Sequence, residues 1–300
     1  MNAPQSPDLT RGLFIGAAGV AMFAMTLPMT RLAVGDTIAP QLSPAFVTAG
    51  RAAVAGLLSI GYLLAVRAAW PGRQHLPALV VCALGTVLGF PLFLALALRQ
   101  VDAMHAAVIT GILPLGTAIV GAWWLGQKPS AGFWACAVLG CALVLAFALI
   151  QGEGRFVPAD GLLLVALLCT AVGYVAGAQV SAAIPAQQAI CWVLVISLPF
   201  TLPLALWWQP DLSAGTLRAS AWWGFAYVSL FSMWLGFFAW YRGLVLGGVV
   251  RVSQVQLLQP FLALLFAVPV LGEPLAPLTL VFALAVMAVV FVGRRMPVRR

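Results

Sequence analysis

Long apolar stretches alternate with short clusters of glycine, proline and charged residues along the whole chain. A helix that crosses a bilayer needs about 20 mostly apolar residues. All seven acidic residues flank apolar stretches, and none lies in the middle of one. Breaking the chain at the polar clusters predicts ten spans, at residues 12–34, 43–66, 76–98, 103–125, 131–150, 161–182, 187–208, 221–246, 249–271 and 275–292.

The composition is that of a protein surrounded by lipid. Hydrophobic residues make up 63% of the 300 and charged residues 7%, with a mean hydropathy of +1.07. A soluble domain carries about 25% charged residues, so this chain lacks the side chains for a water-facing surface. The fold class predicted is therefore an all-α integral membrane protein.

The cations orient the predicted spans. With a cytoplasmic N-terminus, ten of the 15 Lys and Arg residues fall in inside segments and four in outside segments. Arg51 lies deep within a span and completes the 15, and we interpret it as a structural or gating cation near the interface rather than as a substrate anchor. Positive charge favours the cytoplasmic side, which predicts a multi-pass protein of a bacterial-type inner membrane with both termini in the cytoplasm. The net charge of +8 is thereby explained without nucleic acid, since no basic run is interleaved with aromatic residues.

The chain also nearly repeats itself. Pro260 lies 146 positions after Pro114, and Gly272 lies 146 positions after Gly126, each pair within similar surroundings. Two features with one offset indicate a duplicated unit, which predicts repeats at residues 1–152 and 153–300. Because each repeat holds five spans, an odd number, the second would be inverted in the membrane, as in many secondary transporters.

Several motifs occur in a fixed order along these spans. The second half has an aromatic-rich eighth span ending in Trp240-Tyr241, then Gln259-Pro260, then Gly272-Glu-Pro274. The first half has Ser43-Pro44 leading to Arg51, then residues 106–114, then Leu125-Gly126. In these motifs the chain resembles the EamA-type members of the drug/metabolite transporter superfamily, over nearly its whole length.

The resemblance implies a secondary transporter that moves small metabolites, with amino acids prominent among them, by alternating access. Export of an amino acid is the favoured function, with large apolar or aromatic ones preferred. A lipid-linked sugar or lipid flippase is the alternative, although Arg51 is the one cation deep within the spans that could bind a headgroup. An integral-membrane enzyme is disfavoured, because the chain has two distant histidines and no HExxH or Asp-rich motif.

Prolines inside spans are candidate hinges, because each removes a backbone hydrogen bond and bends the helix. The matched pair Pro114 and Pro260 is the best candidate, and static kinks are the alternative for any single proline. Pro199 and Pro203 are expected only to shape the seventh span. The complete set of predicted hinges is Pro28, Pro91, Pro114 and Pro260.

Polar and aromatic side chains deep in spans are candidates for the substrate pathway, since a polar group facing lipid is costly. Gln256 and Gln259 share a helix face, and Trp234, Phe238 and Tyr241 form one stripe. Core packing is the alternative for the aromatics, and contact between helices is the alternative for the amides. The predicted pathway residues are Met25, Phe90, Phe93, Thr110, Tyr174, Trp234, Phe238, Tyr241, Gln256 and Gln259.

Titratable groups are few, and His105, near the end of span four, is the candidate that can change charge near neutral pH. Without a carboxylate at mid-membrane, a carboxylate proton relay is not expected, and movement down a substrate gradient or a potential is predicted. We expect no catalytic residue, no metal and no cofactor. The partners predicted are a small-molecule substrate and membrane lipid, and the chain is predicted to be a monomer or weak homodimer.

Overall fold

A computed structural model describes residues 6–124, 128–151, 157–181, 183–211, 217–247, 255, 258–295 and 298–299. Within these residues nearly all secondary structure is helical, which confirms the all-α membrane class. A two-residue antiparallel pair joins β1 (Lys128–Pro129) to β2 (Val298–Arg299). The α-helices are α1 Ser6–Ala24, α2 Thr26–Val34, α3 Pro44–Ala65, α4 Leu76–Cys82, α5 Phe90–Ala97, α6 Ala103–Thr110, α7 Leu113–Trp124, α8 Ala131–Gln151, α9 Pro158–Ser181, α10 Ala186–Trp207, α11 Ala219–Tyr227, α12 Gly236–Gly247, α13 Gln259–Leu271 and α14 Pro277–Arg295.

Six helical stretches of the described residues are long and apolar enough to cross a membrane. They are Thr10–Val34, Pro44–Ala65, Arg73–Ala97, Pro158–Ser181, Ala186–Trp207 and Ala219–Trp240. They coincide with predicted spans one, two, three, six, seven and eight. Shorter apolar helices, Ala131–Phe147, Gln259–Leu271 and Pro277–Val289, lie within predicted spans five, nine and ten. Predicted span four is divided between α6 and α7.

Prolines explain where some of these helices are interrupted. Span one bends at Met25, between α1 and α2, and Pro28 cannot donate the backbone hydrogen bond to the carbonyl of Ala24. Span four stops after Thr110 and resumes at Leu113, with Pro114 as the second residue of α7. Pro260 is likewise the second residue of α13, where a missing N–H costs nothing.

Two spans contain a π-helical segment, in which the backbone hydrogen bonds reach one residue further than in an α-helix. The first π segment, Ala83–Gly89, joins α4 to α5 and runs directly into Phe90-Pro91. The second π segment, Val228–Leu235, joins α11 to α12. Such segments are rare and frequently lie at functional sites.

Glycines bring two pairs of helices into close contact. A Cβ added at Gly85, in the first π segment, would lie 2.8 Å from Cα of Gly173 in α9. A Cβ added at Gly243, in α12, would lie 2.7 Å from Cα of Gly16 in α1. These backbones therefore touch, which is the packing expected of small residues spaced four apart in membrane helices.

The remaining packing places α3 against α10, α2 against α11, α7 against α9 and α8 against α14. Span one thus lies along span eight, and span six lies along span three. Spans two and seven pair with one another, as do spans five and ten. Two large clusters of buried apolar side chains fill the space between these pairs.

Candidate functional site

The most unusual buried side chain is Arg51 in α3. The helix begins at Pro44, and the hydroxyl of Ser43 caps it by accepting the N–H of Phe46 at 3.1 Å. Arg51 is the eighth residue of α3, so it lies about 10 Å along the helix from its first residue. Its relative exposure is 2%. The guanidinium is thus enclosed by the protein, about a third of the way along α3.

Arg51 joins a chain of hydroxyl groups from two other spans. Its Nη2 donates to Oγ of Ser232 at 2.8 Å, and that hydroxyl is hydrogen-bonded to Oγ1 of Thr26 at 2.8 Å. Ser232 belongs to the second π segment, and Thr26 is the first residue of α2, next to the bend in span one. The Arg51–Ser232–Thr26 network therefore connects α3 to the interruptions of spans one and eight.

Several polar atoms in and beside the network have no hydrogen-bond partner among the described residues. Nε and Nη1 of Arg51 are buried and have no hydrogen-bond partner among the described residues. Thr48, one turn before Arg51, and Thr30, one turn after Thr26, have buried hydroxyls in the same condition, and each shares a helix face with its neighbour in the network. Within the described ranges, the ion pairs are Arg31–Asp102 and His105–Asp160, and neither includes Arg51.

An aromatic cluster includes Trp234, which belongs to the same π segment as Ser232. The rings of Trp234 and Phe238 are 5.0 Å apart, and Phe238 meets the ring of Tyr62 edge-on at 4.8 Å. Two predicted pathway residues are therefore in contact, and α3 adds Tyr62, which the sequence analysis missed. Tyr62 sits at a helix end and gave no pattern that distinguished it. The predicted residue Tyr174 packs on the same apolar cluster.

The other predicted pathway residues are distributed more widely. Phe90 packs in a different apolar cluster from Trp234, and Phe93 is half-buried on α5. The hydroxyl of Thr110 donates to the carbonyl of Ala106 at 2.7 Å, so it is satisfied within its own helix. Met25 forms the bend of span one, and Gln259 is the half-buried first residue of α13. The side chain of Tyr241, and Gln256 as a whole, lie outside the described residues.

One predicted hinge, Pro260, lies close to the interruption of span four. A Cβ added at Gly111, in the gap between α6 and α7, would lie 3.6 Å from Cγ of Pro260. The interruption of span four therefore faces the start of α13. Pro28 and Pro91 are both buried, and the side chain of Pro114 lies outside the described residues.

A second polar group lies where α6 and α9 begin. Nε2 of His105 is 2.6 Å from Oδ1 of Asp160, and both residues are buried. The other carboxylate oxygen, Oδ2, accepts the N–H of Val157 at 3.1 Å. Asp160 is the third residue of α9 and reaches back to the residue before the helix. The predicted span six began at residue 161, whereas α9 begins at Pro158 and includes this carboxylate.

Glu273 closes the same end of the molecule. Its carboxylate oxygens accept the N–H groups of Ala103 and Met104 at 2.8 and 3.0 Å, at the start of α6. Burial raises the pKa of Glu273 above its ordinary value, although these two N–H groups and Arg31 act in the opposite direction. A helix N-terminus attracts negative charge, so Glu273 holds the loop after α13 against α6.

Glu273→Gln is expected to change how stability depends on pH. Because the folded protein holds the Glu273 proton more tightly than the unfolded chain, this group stabilises most at low pH and less as the pH rises through its folded-state pKa. The variant removes that decline, so its melting temperature in detergent should stay level over the pH range in which that of the parent falls. Asp36 is a control in which the pKa is shifted in the opposite direction, because the N–H of Ala39 lowers it. Asp36→Asn should therefore lower the stability of the protein at pH values above the pKa of Asp36 in the folded state. Identical pH profiles for Glu273→Gln and the parent would contradict this assignment.

The described residues contain no group of three or more His, Cys, Asp or Glu side chains arranged to hold a metal ion. Cys82, Cys136, Cys141, Cys169 and Cys191 are free thiols. Cys191 lies against the Ser59 hydroxyl and the indole of Trp234, next to the aromatic cluster.

Comparison with known proteins identifies relatives over nearly the whole chain. The profile of the EamA-like transporter family matches twice, at residues 10–149 and 157–293. The chain is 43% identical over 286 residues to "Uncharacterized transporter YdeK" of Bacillus subtilis (strain 168), covering 95% of this chain and 98% of that protein. It is 25% identical over 235 residues to a "Probable terminal-alkyne amino-acid exporter" of Streptantibioticus cattleyicolor, covering 77% of each. A crystal structure with 17% identity has the same fold, with a TM-score of 0.61 over 94% of this chain and 96% of that one.

Proposed function

The chain belongs to the EamA-like transporter family, and on this premise we propose that it exports amino acids by alternating access, with a preference for large apolar or aromatic side chains. The structural observation that carries the proposal is the buried Arg51–Ser232–Thr26 network, which lies between spans that are interrupted at the level of the network. Intramembrane polar groups of this kind mark substrate pathways.

Several observations support an architecture of two inverted five-span repeats. The family profile matches each half separately. Pro114 and Pro260 both occupy the second position of a helix that starts within a span, in α7 and α13. The second π segment begins 145 residues after the first, in the third span of each predicted repeat. Span one pairs with span eight as span six pairs with span three, which is the exchange expected of a two-fold relation.

Two observations support the proposed substrate class: the name of one relative and a cluster of aromatic side chains in this chain. The relative from Streptantibioticus cattleyicolor carries the name of an amino-acid exporter. In this chain, Tyr62, Trp234 and Phe238 form an aromatic cluster, and Trp234 belongs to the same π segment that holds Ser232. Aromatic and apolar side chains pack well on such rings, so the carrier is proposed to select substrates with a large apolar part.

Transport is proposed to proceed by rocking of the two repeats about the centre of the inner membrane. The bend at Met25 and the gap between Thr110 and Leu113 allow the halves of spans one and four to move separately. Both termini are proposed to face the cytoplasm. The driving force is the amino-acid gradient or the membrane potential, without a carboxylate proton relay.

The proposal predicts that cells expressing the chain retain less of certain amino acids. Cells loaded with dipeptides of phenylalanine, leucine, alanine or lysine should lose free phenylalanine and leucine faster than cells with the empty vector, and lysine at the same rate. Proteoliposomes containing the purified chain should release labelled phenylalanine without an imposed pH gradient. Equal retention of all four amino acids would contradict amino-acid export, and release that requires a pH gradient would contradict the proposed driving force.

A further inference from the structure

Arg51 is a buried cation for which the described protein provides no counter-charge. Its relative exposure is 2%, and Nε and Nη1 have no hydrogen-bond partner among the described residues. The carboxylates of the chain flank the predicted spans, and those that form ion pairs in the described ranges pair with Arg31 and His105. A buried charge costs several kcal/mol unless it is paired, so its position calls for an anion that comes from outside the chain.

The geometry of the guanidinium favours a planar anion. Ser232 takes one N–H of Nη2 and, through Thr26, is itself held in place by span one. This hydrogen bond holds Nη2 and leaves its second N–H, together with the unpartnered N–H of Nη1 or Nε, as a parallel donor pair. Two parallel N–H donors match the two oxygens of a carboxylate. The free hydroxyl of Thr48, one turn away on α3, offers a further donor on the same face.

We propose that Arg51 binds the carboxylate of the transported substrate, with Ser232 and Thr26 as positioning residues. This inference rests on the proposed function and names the group of the substrate that the site recognises. It also assigns a role to the second π segment. Because Ser232 lies in that segment and Thr26 lies at the bend of span one, occupation of Arg51 acts directly on both interruptions.

The test separates the carboxylate from the rest of the substrate. The probes are L-phenylalanine, 3-phenylpropionate, which lacks the amine, and 2-phenylethylamine, which lacks the carboxylate. In detergent, the two carboxylates should raise the melting temperature of the full-length chain, and 2-phenylethylamine should not. Arg51→Gln should weaken this response to both carboxylates by at least about tenfold in concentration, as expected for the loss of a charged hydrogen-bonded pair. Arg51→Lys should give an intermediate response, because an ammonium keeps the positive charge but lacks the two parallel N–H donors of a guanidinium.

A structural role for Arg51 would give a different result. If the guanidinium mainly held α3 to the second π segment, Arg51→Gln would lower the melting temperature of the ligand-free protein. Binding of substrate predicts an unchanged or higher value, because an unpaired buried charge has been removed. Arg73→Gln, which removes an exposed arginine before α4, is the matched control and should respond to the probes like the parent.

The outcomes distinguish this inference from the proposed function. Release of phenylalanine by the parent and by Arg51→Gln at equal rates would overturn the role of Arg51 and leave amino-acid export in place. Stabilisation of the parent by 3-phenylpropionate, lost in Arg51→Gln, would support the carboxylate site even if proteoliposomes released no phenylalanine. No response of the parent to either carboxylate would overturn the inference.

Discussion

Gly85→Ala is expected to lower the melting temperature of the detergent-purified chain sharply, through the addition of one methyl group. The new Cβ would overlap the carbonyl oxygen of Cys169 and lie 2.8 Å from Cα of Gly173. Both are backbone atoms of α9, so no side-chain rotation relieves the overlap, and spans three and six must separate. Overpacking of this kind costs about 1–3 kcal/mol. Gly85→Leu, which adds a much larger side chain, should prevent the helices of the chain from packing into the folded protein.

Gly243→Ala is expected to act in the same way on spans one and eight, because its Cβ would lie 2.7 Å from Cα of Gly16. Gly61→Ala is the matched control, since a Cβ at this exposed position in α3 meets no atom within 4 Å. There the substitution should be neutral or stabilise by up to about 1 kcal/mol, as alanine is the better helix former. The same loss of stability at Gly61 and Gly85 would show that helix contact is not the cause.

Asp160→Ala is expected to destabilise the chain by about 3 kcal/mol, because it removes a buried carboxylate acceptor and leaves its hydrogen-bond donors unsatisfied. The carboxylate is 1% exposed and contacts His105 Nε2 at 2.6 Å, so its removal leaves the imidazole and the N–H of Val157 without their acceptor. Thermal unfolding in detergent measures the loss. The double variant with His105→Ala should cost less than the sum of the two single variants.

Asp102→Ala is the matched control for Asp160→Ala, because it removes a carboxylate from the next charged pair at the same end of the molecule. The Asp102 side chain is 67% exposed, and its oxygen lies 3.6 Å from Nη2 of Arg31. An exposed pair contributes about 0–1 kcal/mol, so this variant should unfold close to the parent. Equal effects at Asp102 and Asp160 would mean that burial does not set the cost of the His105–Asp160 contact.

Much of the fold followed from composition and periodicity. Lengths of apolar sequence located the six long spans, because a membrane-spanning helix satisfies its own backbone and must be apolar along its length. Pro114 and Pro260 were predicted as hinges within spans, and each is the second residue of a helix, α7 and α13, because proline cannot donate within a helix. Glycines spaced four apart allow close helix contact, and Gly16 of α1 and Gly243 of α12 make such a contact.

The contacts within the candidate site could not be predicted from the sequence in this way. The π segments carry no sequence pattern that separates them from α-helix, so the positions of Ser232 and Trp234 on their helix face could not be derived from a period of 3.6 residues. His105 was predicted as an isolated titratable group, yet its partner lies 55 residues away in sequence. A pairing of this kind depends on how two helices are rotated and translated against each other.

The order of apolar and polar residues thus determined that the chain is an all-α membrane protein and where its six long apolar helices lie, because these properties follow from the transfer of apolar side chains from water to lipid. Tertiary structure alone decided that Arg51 is enclosed without a counter-charge and that Ser232 and Thr26 meet it, because those contacts join residues 181 and 206 positions apart. Distances of that length along the chain are set by the packing of spans one, two and eight, and no local pattern encodes them.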